Sequence, residues 1–185
     1  MALSRRTAPL TAALAVVGLL VLAGSAFGAD QRVVKTQDDC DPATFNAVLG
    51  DGACVGSGKT TFQDLLAQFA AKGSVDKWQF SRPDFNIDAG GTITVVDEGG
   101  EPHTFTRVAF FGTGCSPLNN GEPVAGGIDC ATFNPFADAS TVFPGGPPLT
   151  VGDLGPGTVR FQCMIHPWMR ATVDVRAKGD RGGRR

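Results

Sequence analysis

The stretch Cys163-Met164-Ile165-His166-Pro167-Trp168-Met169 constrains this chain more than any other. It holds a thiol, an imidazole and a thioether within one short loop. The run Thr158 to Cys163 leads into it with strict alternation. Val159, Phe161 and Cys163 share one face, and Thr158, Arg160 and Gln162 share the other, as a half-buried strand requires. Ala171, Val173 and Val175 repeat the pattern on the far side. The parity aims the Cys163 sulfur at the inner end of a core-facing row. Pro167 stiffens the connection because its φ is fixed. The chain has 2 histidines, so His103 is the one other imidazole that a site built on this loop can recruit.

The rest of the composition supports a strand-and-turn protein. Gly is 25, Pro 12 and Phe 13, with many Val and Thr, a balance that favours sheets and turns over helices. Tyr is 0, which excludes phenolic side-chain chemistry. A length of 185 residues suits one domain with extensions.

Residues 1–28 read as a signal peptide. Arg5 and Arg6 form a charged start, Leu10 to Ala23 an apolar run, and Gly24, Ser25, Ala26 and Gly28 a small-residue region before cleavage near Gly28 or Ala29. An uncleaved anchor is the alternative, but the apolar run is short of the ~20 residues a span needs. Ser4-Arg5-Arg6 hints at twin-arginine export, although Ala8-Pro9 follows where a bulky apolar residue is expected. The expected location is therefore secreted or periplasmic. Loss of the leader removes Arg5 and Arg6 and no acid, leaving 14 basic and 18 acidic residues, a net charge of −4. That balance does not describe a nucleic-acid binder.

Five cysteines are an odd number for an exported protein. Cys40 and Cys54 are near neighbours in sequence, as are Cys115 and Cys130. Pairing each with its neighbour leaves Cys163 as the unpaired thiol, though four cysteines allow three pairings. Each short closed loop stabilises by about 3 kcal/mol on the chain-entropy view.

Along the chain, residues 29–76 read as a disulfide-stapled loop and helix extension. Asp41-Pro42, Asp51-Gly52 and Gly56-Ser57-Gly58 punctuate it, with a short helix near Pro42–Leu49. Asp38, Asp39 and Asp41 fit no calcium-loop spacing and read as a solvated loop. Gly58-Lys59-Thr60 resembles the end of a phosphate-binding loop, but Ala53 stands where its first Gly belongs. Thr61 with Asp64 instead forms a capping box for an amphipathic helix carrying Phe62, Leu65, Leu66 and Phe69 and ending at Lys72-Gly73. Its apolar stripe is expected to cover one side of the domain that follows.

Residues 77–177 read as the main all-β domain. Strands are expected around Trp78–Phe80, Phe85–Ile87, Thr92–Val96 and His103–Phe111, the last with a bulge near Arg107. Residues 112–157 form a long Gly/Pro-rich region with a turn at Asn119-Asn120-Gly121 and short strands near Thr141–Phe143 and Leu149–Val151. A connection this long is uncommon unless it is functional. Residues 178–185 carry Arg181, Arg184 and Arg185 and read as a disordered basic tail.

Taken singly, a buried Cys is a small hydrophobe, a His a core or surface residue, and a Met packing. Taken together, both histidines, the unpaired thiol and Met169 fall where one site can use them. His103, Cys163, His166 and Met169 make the soft ligand set of a mononuclear blue-copper centre. Cys163 would bind as thiolate and the histidines as neutral imidazoles. Zinc accepts Cys and His but leaves Met169 idle. A copper carrier or storage protein is the second reading, yet such proteins favour Met-rich sites, and Met is 3 here with the initiator included. Multicopper enzymes need further histidines that this chain lacks, so an enzyme is not expected.

The chain from about Lys77 to Val175 resembles the cupredoxin family of small blue-copper proteins. The matching features are the segment running into Pro102-His103-Thr104 and the Cys-x-x-His-x-x-Met loop at residues 163–169, whose short spacing is most similar to amicyanin-type members. The resemblance implies a Greek-key β-sandwich of about eight strands with one type 1 copper at one end. It implies that His103, Cys163 and His166 form a trigonal plane with Met169 axial. It also implies one-electron transfer to a transient protein partner, which we expect to dock on an exposed edge of His166 rimmed by Pro167 and Trp168. Thr104 stands where many members carry Asn beside the first ligand.

Overall fold

A computed structural model describes residues 30–118 and 121–178. The leader at 1–28, the Asn119-Asn120 part of the predicted turn and the tail beyond Lys178 lie outside them.

Among the described residues most regular structure is strand, arranged in mixed sheets with two short helices. In chain order the elements are β1 (Gln31–Gln37), α1 (Pro42–Leu49), α2 (Phe62–Lys72), β2 (Gln79–Phe80), β3 (Asp84–Asp88) and β4 (Thr92–Asp97). They continue as β5 (His103–Thr104), β6 (Thr106–Val108), β7 (Thr141–Val142), β8 (Leu149–Val151), β9 (Gly157–Gln162) and β10 (Arg170–Arg176). One four-stranded sheet has the order β2-β1-β4-β8, a second β3-β10-β9-β6, and β5 pairs with β7 as a two-stranded ribbon.

The core lies between the two larger sheets. Val34, Ile93 and Val95 from one face Ile87, Val159, Phe161, Val173 and Val175 from the other, all buried. Each such side chain contributes about 1.5–3 kcal/mol of burial. Phe105 stacks on Phe161 with centroids 4.2 Å apart and meets Phe80 edge-on at 5.1 Å. Phe161 ties this aromatic cluster to the strand that leads into Cys163.

Two expectations change here. Residues 31–37 are not loop: β1 runs parallel to β4 in register from Gln31↔Thr92 to Thr36↔Asp97. Residues 31–37 thus belong to the same sheet as β4. The strand was hidden because polar residues surround Val33 and Val34, and its buried inner row is Val34 with Thr36. Likewise, His103–Phe111 is not one strand with a bulge at Arg107. It breaks at Phe105, whose N–H donates to the Ser140 carbonyl at 2.8 Å. β5 leaves to pair with β7, and β6 joins β9. Switching partners at Phe105 keeps His103 and Phe105 buried while Arg107 faces solvent.

The helices form as their caps dictate. The Thr61 hydroxyl accepts the Asp64 N–H, and the Asp64 carboxylate receives the Thr61 N–H. Gly73 closes α2 at φ 68, where a side chain would be strained. Leu65 is buried and Phe62 and Phe69 pack onto the core, so α2 covers one end of the sandwich. The disulfides join Cys40 to Cys54 and Cys115 to Cys130, leaving Cys163 free and buried. No helix among the described residues is long and apolar enough to cross a membrane.

Candidate metal centre

Three elements deliver the candidate ligands. β5 begins with His103, β9 ends just before Cys163, and the turn into β10 holds His166 and Met169. The turn is closed by backbone hydrogen bonds: Cys163 N–H to the Met169 carbonyl at 3.0 Å, and Met169 N–H to the His166 carbonyl at 2.9 Å. All four side chains are buried.

The two imidazoles converge on the sulfur. Cys163 Sγ lies 4.0 Å from His103 Nδ1 and 3.8 Å from His166 Nδ1, and the two Nδ1 atoms are 3.3 Å apart. Metal–nitrogen and metal–sulfur bonds of about 2.0 and 2.3 Å in a trigonal plane put donor atoms roughly 3.5–3.8 Å apart. The triangle therefore has the dimensions of a three-coordinate site. Met169 sits in the same buried cluster as Cys163, and its backbone fixes the turn. Two N–H groups, from Thr104 and His166, point at Sγ from 3.4 Å each. Such donors favour charge on the sulfur and tune a bound metal.

Each imidazole turns its other nitrogen toward a carboxylate. His103 Nε2 donates to Asp38 Oδ2 at 3.0 Å, a pair almost wholly buried. The same Asp38 oxygen accepts the N–H groups of Gly100 at 2.8 Å and Glu101 at 3.0 Å. Burial alone would raise the Asp38 carboxyl, but the His103 hydrogen bond and charge, with the two N–H donors, hold it at about 2. Burial alone would lower His103, and the Asp38 bond, then Cys163, lift it to about 10 in the metal-free chain. Burial likewise opposes ionisation of Cys163, yet hydrogen bonds from His103 and His166 bring it well below the ordinary thiol range. A Cβ at Gly99 would overlap the Asp38 carboxylate, so this turn needs glycine there. On the other side, His166 Nε2 lies 3.6 Å from Glu101 Oε2, which accepts the Trp78 Nε1–H at 2.7 Å.

The long stapled region supports the ligand loop from behind. Cys115 N–H donates to the Met164 carbonyl at 2.8 Å, and the Ser116 hydroxyl to the Ile165 carbonyl at 2.6 Å. Gln162, expected on an exposed row, is buried because Gly112 covers it. Its amide donates to the Gly112 carbonyl at 2.9 Å and accepts the Gly112 N–H at 3.1 Å. Thr104 Oγ1 accepts the Met164 N–H at 2.8 Å, so a threonine links the first histidine's strand to the cysteine loop.

One expectation fails. His166 has no exposed edge: it is 2% accessible, and Pro167 is buried beside it. Trp78 and Trp168 flank its ring at 6.5 and 5.6 Å, and Phe69 of α2 packs on Trp168 at 5.2 Å. The segment before residue 77 thus roofs the end of the sandwich that was expected to be open. Asp38 is the second departure. It reads as solvated loop in sequence and is a buried partner of His103; only its place at the end of a hidden strand could have signalled this.

No family model matches the sequence, and no curated protein matches it. Among solved structures, amicyanin from Paracoccus versutus is similar over 56% of this chain and 77% of its own, at 19% identity and a TM-score of 0.35. A purple cupredoxin from Nitrosopumilus maritimus is similar over 55% of this chain and 85% of its own, at 19% identity and a TM-score of 0.38. Likeness of this degree carries no functional assignment, and the chemistry is read from the His103–Cys163–His166 triangle itself.

Proposed function

We propose that this protein is an exported blue-copper electron carrier with a cupredoxin-like Greek-key sandwich. The observation that carries the reading is the buried triangle of two Nδ1 atoms and one Sγ, each imidazole backed by a carboxylate. His103, Cys163 and His166 would hold the ion, with the Met169 thioether as a fourth donor. When bound, copper supplies a one-electron Cu(II)/Cu(I) couple. The chain's own residues supply the rest. Asp38 orients His103, Thr104 and His166 direct N–H groups at the sulfur, and the stapled loop keeps the turn rigid. A donor set held this firmly by two sheets and a disulfide-braced loop reorganises little when charge changes.

The mixture of imidazole, thiolate and thioether favours copper over zinc, for which Met169 would have no role. Two disulfides favour an oxidising compartment, in keeping with export. A transient protein partner would approach over half-buried Trp168 and the flank of α2, since His166 itself is covered. The second reading, a copper carrier or store without redox turnover, is tested by comparing rates. Rapid electron exchange with small redox reagents and slow copper loss to a chelator support the electron carrier. Slow exchange with rapid loss would replace it with the store.

A further inference from the structure

A cavity of about 680 Å³ opens between α1, α2 and the loop braced by Cys115–Cys130. This volume falls within the ~300–1,000 Å³ of small-molecule sites. Its walls are apolar and aromatic, built from Phe45, Phe62, Leu65, Leu66 and Phe136. Phe136 is 60% exposed and Leu49, also at the cavity, 53%, an unusual exposure for large apolar side chains beside a concave site. The lining also includes Glu101 and His166, both buried, so the cavity extends from solvent to the far side of the metal centre. Among the described residues, Asp51 and Glu101 are the lining's carboxyl side chains, and it has no lysine or arginine.

That combination selects a ligand chemistry. Aromatic walls favour a flat ring, the buried Glu101 carboxyl group favours an O–H donor, and two acidic side chains without a basic one disfavour an anion. We propose that this cavity binds a small neutral aromatic alcohol, its ring between the helices and its hydroxyl donating to Glu101. The site stands whether or not the neighbouring triangle holds copper, because every wall belongs to the polypeptide.

The test uses the metal-free full chain and three naphthalene probes of one size, followed by calorimetry and by fluorescence. 2-Naphthol should bind with one-to-one stoichiometry. 2-Methylnaphthalene, which lacks the donor, should bind at least about tenfold more weakly, since it forgoes the hydrogen bond to the Glu101 carboxyl group. 2-Naphthoate should not bind detectably. Leu66→Trp, at a position 36% exposed, should intrude on the space for the ring between the helices and weaken naphthol binding at least about tenfold while the circular dichroism spectrum is kept. Equal binding of all three probes would show a non-selective apolar surface and overturn the proposal. So would absence of naphthol binding in the wild type, or a dimer in sedimentation that Phe136→Ser dissolves while naphthol fails to bind. That last outcome would assign the face to a second copy of the chain.

Discussion

His103 Nε2 and Asp38 Oδ2 lie 3.0 Å apart across 65 positions of sequence, with both side chains out of solvent. The contact joins the end of β1 to the start of β5 and leaves His103 Nδ1 facing the Cys163 sulfur. A carboxylate in this position fixes a ligating imidazole's tautomer and orientation.

Asp38→Asn should therefore lower copper affinity by about 10–100-fold, the usual cost of losing such a partner. Competition with a chelator of known strength checks it. Asp39→Asn at the neighbouring position, whose carboxylate accepts from the Thr60 hydroxyl away from the histidines, should leave affinity within about twofold.

The same carboxylate gives a pH dependence in the metal-free protein. Its folded pKa, about 2, is below the ordinary 3.8, so the unfolded chain takes up the proton first. Asp38 then contributes stability above pH 4 that is lost as pH falls toward 2, about 2 kcal/mol in total. Urea denaturation across this range should show wild type losing that advantage relative to Asp38→Asn. A difference between the two that stays constant with pH would contradict the assignment.

Thr104→Val keeps the shape of the side chain and removes the acceptor of the Met164 N–H. The orphaned buried donor should cost about 1–3 kcal/mol in denaturation. Thr104→Ser, which keeps the hydroxyl, should recover most of it.

Met169→Leu should raise the reduction potential with the blue colour retained, because an axial thioether tunes a copper site whose colour comes from the thiolate. Potentiometry on both proteins measures it. An unchanged potential would remove Met169 from the axial position.

How far the sequence could be read follows from where each signal lies. Val159 and Phe161 alternate along β9 and Cys163 continues their row just past its end, so the direction of the sulfur was visible in local pattern. The two histidines and the odd cysteine were visible by count. Asp38 was not, because Asp38-Asp39-Cys40-Asp41 has the composition of a solvated loop and its burial arises only when β1 pairs with β4. The same long-range pairing hid β1 itself, whose buried row alternates Val34 with Thr36. The break at Phe105 was displaced to Arg107 because a switch between sheets depends on Ser140 and β7, far along the chain. The roof over His166 was also beyond local pattern. The amphipathic stripe of α2 was legible, but nothing in it specifies that Phe69 meets Trp168.

The proposed blue-copper site depends on Cys163 as a thiolate ligand to copper. Adding one equivalent of Cu(II) to the mature protein and recording its visible spectrum tests it most directly. We predict an intense thiolate-to-copper charge-transfer band that Cys163→Ser abolishes. A wild-type protein without that band, or a band that survives Cys163→Ser, would contradict the account.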